Sequence, residues 1–197
     1  MQPSNAVVAD QSTAAVPGTG RRSPHERLSA LGLVPVGRAN DYAGEIHRLM
    51  SRTPLFAGLE IEETRKLGSF MYVYEAPPGV TLINEGEPGD FMMLLMDGMI
   101  DVLRRNRYNY PSRIAVAHAG HALGEMSMFD GEPRFASCVT LENCRMAVLS
   151  REALTMVLQE EPALGNKILL KLVQLLSDRL RQTSAKLVSY LEAARDA

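Results

Sequence analysis

The chain has 197 residues, 46% hydrophobic and 22% charged, with a formal net charge of −2. That is the length of about one domain with extensions and the balance of an ordinary globular protein. No apolar run reaches the ~18 residues of a membrane span, the start MQPSNAVVADQSTAAVPGTG lacks the pattern of a signal peptide, and Cys138 and Cys144 alone offer no disulfide framework, so a reducing cytoplasm is the expected compartment.

Residues 1–40, rich in Ala, Pro, Gly, Ser and Val without a sustained period, are expected to form a disordered or weakly ordered tail. Asp41 is placed to cap a helix through Arg52, ended by Thr53-Pro54, so 41–54 is taken as an N-terminal helical unit. A second short helix fits EIEETRKLGSF, with Leu67 and Phe70 turned inward. From Met71 to Leu149 the pattern changes to short β-rich runs: MYVYEA, VTLINE, FMMLLMDG, MIDVLRR, RIAVAH, ASCVTL and CRMAVLS. Turn signals separate them at roughly ten-residue spacing, which predicts a small barrel or jelly roll of seven or eight strands.

Ser150 is the expected cap of a helix to about Gln159, and Pro162 the first residue of a long last helix. Along that helix Leu169, Val173, Leu176, Leu180, Thr183, Leu187, Tyr190 and Ala194 recur at heptad spacing, apolar except at Thr183. The first half suits packing on the barrel, and the seam as a whole predicts a parallel homodimer through residues 169–194. The domain plan is therefore 1–40 tail, 41–54 helix, 55–160 barrel and 161–197 long helix, an α+β, mainly β, chain.

Charge is unevenly spread. Residues 1–40 and 162–197 are net positive, whereas 41–161 hold 18 acidic and 11 basic side chains, a poor surface for tracking a phosphate backbone. Against that background GEMSMFDGEPRFAS, Gly124 to Ser137, sets Glu125 and Arg134 on either side of a turn. Gly124 permits close backbone approach, and one helical turn after it would aim N–H groups outward as an anion cradle. Arg134 offers a planar fork for a phosphate, and Glu125 an acceptor for hydroxyls. Together they describe a sugar phosphate site; the plainer alternative is a buried Glu125–Arg134 ion pair holding the turn.

The glycines around the stretch carry a resemblance. Gly79 in PPGV, Gly86 and Gly89 in NEGEPGD, Gly98 in MDGMIDV, and Gly120 and Gly124 in AGHALGE stand in the order of the cyclic nucleotide-binding domain family. GEMSMFDGEPRFAS matches that family's phosphate-binding cassette, and Leu55–Ser150 resembles the domain. The resemblance implies an eight-stranded jelly-roll β-barrel flanked by N-terminal helices and a long C-terminal helix. It also implies a ligand set of Gly124, Glu125, Met126, Ser127, Arg134, Phe135 and Ala136, with Glu125 on the ribose 2′-hydroxyl and Arg134 on the cyclic phosphate. DRLRQTSAKL is similar to the dimer helix of the catabolite activator protein group, which adds Thr183 and Ser184 as adenine contacts from both subunits.

The implied ligand is cAMP, bound as a signal and not as a catalytic cofactor, with no metal. Phe135 departs from the family, which usually has Ala, Ser or Thr there. Its lost hydroxyl ranks cGMP below cAMP, and its bulk leaves open cyclic di-GMP or a non-binding, degenerate scaffold. The expected role is a stand-alone cyclic nucleotide sensor acting on an effector protein. Neither an enzyme nor a membrane protein is expected, and direct DNA binding is not expected because no helix-turn-helix follows the long helix in the sequence. His118 and His121 form a weak HxxH, read as loop histidines; the cysteines and the many methionines of the barrel region are read as core filling. Arg104, Arg105, Arg107, Tyr108, Tyr110 and Arg113 mark a hairpin tip, either solvated or a docking surface.

Overall fold

Strand β4 (Phe91–Asp97) divides the molecule into two cores. Side chains alternate across a strand, so Met92, Leu94 and Met96 enter one cluster while Phe91, Met93 and Leu95 enter the other. A strand apolar on both faces belongs in the middle of a sheet. In the computed structural model, which describes residues 24–50 and 58–195, β4 lies in a five-stranded antiparallel sheet. Its members are β1 (Val34–Arg38), β2 (Tyr72–Ala76), β9 (Cys144–Ser150), β4 and β7 (Ala122–Leu123), in that order. The second sheet runs β3 (Thr81–Ile83), β8 (Ser137–Thr140), β5 (Met99–Arg105) and β6 (Pro111–His118).

One core fills the space between the sheets, with Tyr74, Ile83, Ile100, Cys138 and Cys144. The other lies between the five-stranded sheet and the helices, where Ile46 of α2 (Ala43–Met50), Leu67 of α3 (Ile61–Ser69) and Leu154 of α5 (Arg151–Glu160) meet it. Eight strands, β2 to β9, make up the expected jelly roll. Met71, Met92, Met93, Met96 and Met128 are buried as core filling, but Met126 is exposed.

Local chemistry sets the helix starts. Glu60 and Glu63 form a reciprocal capping box on α3, with the Glu60 N–H donating to Glu63 Oε2 at 2.9 Å. Ser150 Oγ accepts from the Ala153 N–H at 3.0 Å, the cap expected for α5. Pro162 opens α6 (Pro162–Arg195), 34 residues long. Leu164, Ile168, Leu172 and Leu175 bury one stripe of α6 on the barrel, each worth about 1.5–3 kcal/mol. Beyond them Leu180, Leu187 and Tyr190 of the predicted seam are exposed, while Leu169 and Leu176 are half-buried.

Two expectations are corrected. Pro24–Ala30 is a helix, α1, and Val34–Arg38 a strand, in a segment read from composition as tail. Tertiary contacts supply the order that local pattern lacks: Leu28 and Leu33 are buried, His25 Nδ1 meets the Tyr74 hydroxyl at 2.5 Å, and β1 pairs with β2. The remainder of the tail, residues 1–23, lies outside the described residues. Asp41 does not cap a helix but sits inside a 3₁₀ turn, Ala39–Tyr42, that feeds α2. Gly68 lets α3 pack closely against that turn, since a Cβ there would stand 2.6 Å from the Asn40 backbone nitrogen. The expected helix end at 51–54 falls outside the described residues.

Candidate functional site: the turn between β7 and β8

The link from β7 to β8 begins at Gly124, whose φ of +79° belongs to glycine. It is the N-cap of a single short helix, α4 (Glu125–Asp130), and no side chain caps that end. The chain turns at Gly131 and returns so that Arg134 reaches back beneath the start of α4. Arg134 Nη1 donates to the Gly124 carbonyl at 2.6 Å and Nη2 to the Phe91 carbonyl at 2.8 Å, with the guanidinium carbon 4.5 Å from the Phe91 ring centre. Its backbone is held as well: the Arg134 N–H donates to Glu87 O at 2.8 Å, and Gly86 N–H to Arg134 O at 2.9 Å.

Glycine makes the slot. A Cβ on Gly124 would stand 2.6 Å from Arg134 Nη1, and one on Gly89 would collide with its Nε and Cζ. Arg134 is thereby 4% exposed, and burial lowers its pKa against the opposing pull of Asp90. Among the described residues no carboxylate lies within ion-pair distance of it.

Glu125 is 1% exposed and is not the partner of Arg134. Arg179 of α6 pairs with its carboxylate through Nη1 and donates Nη2 to the Ala122 carbonyl at 2.9 Å. Burial pushes the Glu125 pKa up, and Arg179 opposes it most. The plainer alternative of a mutual Glu125–Arg134 pair is therefore not what forms: each charge has its own anchor, one in backbone carbonyls and one in the long helix. Between them lies a hollow of about 80 Å³ lined by Gly124, Glu125, Arg134, Phe135, Ala136 and Val102. That is below the roughly 300–1,000 Å³ of ligand pockets, so a nucleotide entering it must move something.

Met126 and Ser127 also border this hollow. Thr183 and Ser184 do not; they are exposed on the outer half of α6. Phe135 is 47% exposed at the mouth, and the Arg104 guanidinium lies 3.7 Å over its ring centre. Cys138 lines the wall, and burial pushes its thiol up to about 12, so it is an inert filler. Two larger hollows, of about 440 and 390 Å³, lie beside Arg145 on the outer face of β9 and between α1 and α5, and neither combines a buried carboxylate with a buried arginine. The His118 N–H donates to His121 Nδ1 at 2.8 Å, and no metal-binding group occurs among the described residues.

Sequence reasoning did not bring Arg179 to Glu125 or Arg104 to Phe135. Arg179 is four residues before Thr183 and so shares its helix face. Arg104 is two after Val102 on β5, which sets it on the same side of the sheet.

A family model described as the cyclic nucleotide-binding domain matches residues 74–161. A solved cyclic nucleotide-binding domain from Methylobacillus flagellatus is 41% identical, with a TM-score of 0.73, over 79% of this chain and 88% of that one. The chain belongs to the cyclic nucleotide-binding domain family. Among curated relatives of this family member, the CRP-like cAMP-activated global transcriptional regulator of Mycobacterium tuberculosis is 27% identical over 143 residues. The match spans 73% of this chain and 62% of that regulator. The catabolite activator protein of Thermus thermophilus is 28% identical at a TM-score of 0.63, covering 68% of this chain and 62% of that one. No described helix of this cyclic nucleotide-binding protein is long and apolar enough to cross a membrane.

Proposed function

We propose that the chain is a cytoplasmic, homodimeric sensor that binds cAMP at Glu125 and Arg134 and passes the signal to an effector protein. The observation that carries this is the pair of buried opposite charges flanking an uncapped helix start, each held by something other than the other. A cyclic phosphate meets the remaining donors of Arg134, and a ribose hydroxyl donates to Glu125. Backbone N–H groups near Met126 and Phe135 complete the cradle beside Gly124, Ser127 and Ala136. The cAMP-activated relative supports the choice of base, and the missing hydroxyl at Phe135 ranks cGMP second.

Arg179 gives the binding step its output. A hydroxyl that claims Glu125 competes with Arg179, and what loosens Arg179 loosens its hold on α6. Ligand shifts the helix only as far as it binds one arrangement more tightly; a tenfold preference supplies about 1.4 kcal/mol. The exposed Val173, Leu180, Leu187 and Tyr190 support pairing of two copies along residues 169–194, where Thr183 and Ser184 of one copy would reach the base held by the other. The acidity of residues 41–161 supports an effector protein over direct contact with DNA.

Calorimetry of the wild type, Arg134→Ala and Glu125→Gln against cAMP, cGMP and cyclic di-GMP tests the reading. Arg134→Ala is expected to cost about 2–5 kcal/mol of cAMP binding. Undiminished affinity in that variant refutes the site. Silence of the wild type toward all three ligands favours a non-binding scaffold, which the small hollow and Phe135 would explain.

A further inference from the structure

The hairpin joining β5 to β6 is built unlike the rest of the surface. From Val102 to Gly124 there is no acidic residue, and four of the eleven basic side chains of residues 41–161 lie between Arg104 and Arg113. Arg113 is paired with Asp101 at 2.6 Å. Among the described residues the guanidiniums of Arg104, Arg105 and Arg107 meet no carboxylate within ion-pair distance; they stack or bond locally instead, and the Glu85 carboxylate at the base of the hairpin takes the Arg105 backbone N–H at 2.8 Å. The tip is nevertheless ordered. Asn106 Oδ1 accepts from the Tyr108 and Tyr110 N–H groups, its Nδ2 donates to Ser112, and Arg105 Nη1 donates to the Asn109 carbonyl. This scaffold holds Tyr108 at 65% and Tyr110 at 70% exposure, with the Arg107 guanidinium over the Tyr108 ring.

We infer that this hairpin tip is the docking surface for an acidic, extended segment of a partner protein, and that the Arg104–Phe135 stack couples it to the cassette. Unpaired guanidiniums beside rigidly presented tyrosines are the composition of binding hot spots. Their sign selects an acidic occupant, and an ordered tip lowers the entropy cost of binding. A protein segment suits the patch better than a nucleic acid. The remainder of residues 41–161 carries 18 acidic side chains against seven basic ones, and that field repels a polyanion leaving the tip, whereas a short segment stays on the arginines.

The coupling follows from where Phe135 sits. It comes directly after Arg134 and borders the hollow, while its ring carries the guanidinium of a β5 residue. Widening the hollow displaces Phe135, and with it Arg104 and the base of the hairpin. This second half rests on the nucleotide reading of the cassette; the docking surface does not.

The test measures fluorescence anisotropy of the full chain with a labelled dodecapeptide of alternating Glu and Thr, and with labelled dT12. Arg107→Glu combined with Tyr108→Ala is expected to weaken peptide binding at least about tenfold, with thermal midpoint and cAMP binding unchanged. Equal peptide binding by that variant, or no peptide binding by the wild type, overturns the surface. Tighter dT12 binding that responds to the same substitutions overturns it in favour of nucleic acid. Saturating cAMP is expected to change peptide affinity about fivefold or more in the wild type, and in Phe135→Ala, at cAMP concentrations that saturate the variant, the ratio of peptide affinities with and without cAMP is expected to fall to about one, whatever the substitution does to either affinity alone. A cAMP effect that survives Phe135→Ala overturns the coupling. Absence of cAMP binding in calorimetry overturns it together with the ligand reading, and leaves the peptide result standing.

Discussion

Replacing Arg179 by alanine removes the ion-pair partner of a carboxylate that is 1% exposed. Stranding a buried charge costs about 3–5 kcal/mol when the site stays dry. Here the Arg179 side chain is itself 40% exposed, so water enters the space it leaves; with that screening the expected loss falls to about 1–3 kcal/mol. For a chain of this length that is roughly 2–12 °C in thermal midpoint. The cost must also depend on pH. Burial already raises the Glu125 pKa, and Arg179 is the largest influence holding it down, so the variant's value lies higher still. A carboxyl whose folded pKa exceeds its unfolded one keeps a proton that the unfolded chain releases. Stability therefore falls as pH rises from the ordinary carboxylate value through the folded one, and the gap between variant and wild type widens from pH 5 to pH 8. Urea denaturation of the wild type, Arg179→Ala, Glu125→Gln and the double variant at both pH values reads this out. In the double variant the penalty shrinks, giving a coupling of about 1 kcal/mol or more. Additive costs that do not change with pH refute the pair as a unit.

Gly89→Ala is expected to expel Arg134 from its slot, because the new Cβ meets the guanidinium; about 1–3 kcal/mol of stability and most nucleotide affinity go with it, by urea denaturation and calorimetry. Burial, His118 and Arg179 all lower the His121 pKa, so the unfolded chain binds the extra proton first. That stability is present above the unfolded value of about 6.5 and is lost as pH falls through the window below it, and His121→Gln should flatten this slope in denaturation curves between pH 7 and 5. Leu180→Glu with Leu187→Glu, both at exposed positions, should leave the fold intact and yield monomers in sedimentation velocity, whereas a monomeric wild type refutes the dimer.

What the sequence discloses follows the range of the interaction. The β4 run, the Ser150 cap and the Pro162 start are set within a few residues, and all three appear as expected. The glycines around Arg134 were legible as a framework, although the collision each one avoids becomes visible only with the guanidinium in place. Helix α1 and strand β1 were hidden because Leu28, Leu33 and the pairing with β2 order them from outside the segment. The Glu125–Arg179 pair joins residues 54 apart in the chain, and no local pattern connects them. Opposite charges nine residues apart suggested a partnership that buried backbone carbonyls and a distant helix had already pre-empted.

Helix α6 has a mechanical consequence. Leu164 to Leu175 clamp its first half, and Arg179 is its last described polar tie to the barrel. Residues 180–193 are exposed throughout, so beyond Arg179 the helix runs clear of its own barrel, about 24 Å from Arg179 to Arg195 at 1.5 Å per residue. Pivoting that stretch by about 5° sweeps its far end through about 2 Å, given the same rise per residue. On the proposed reading, Arg179 is the fulcrum of a lever whose short arm ends at one carboxylate.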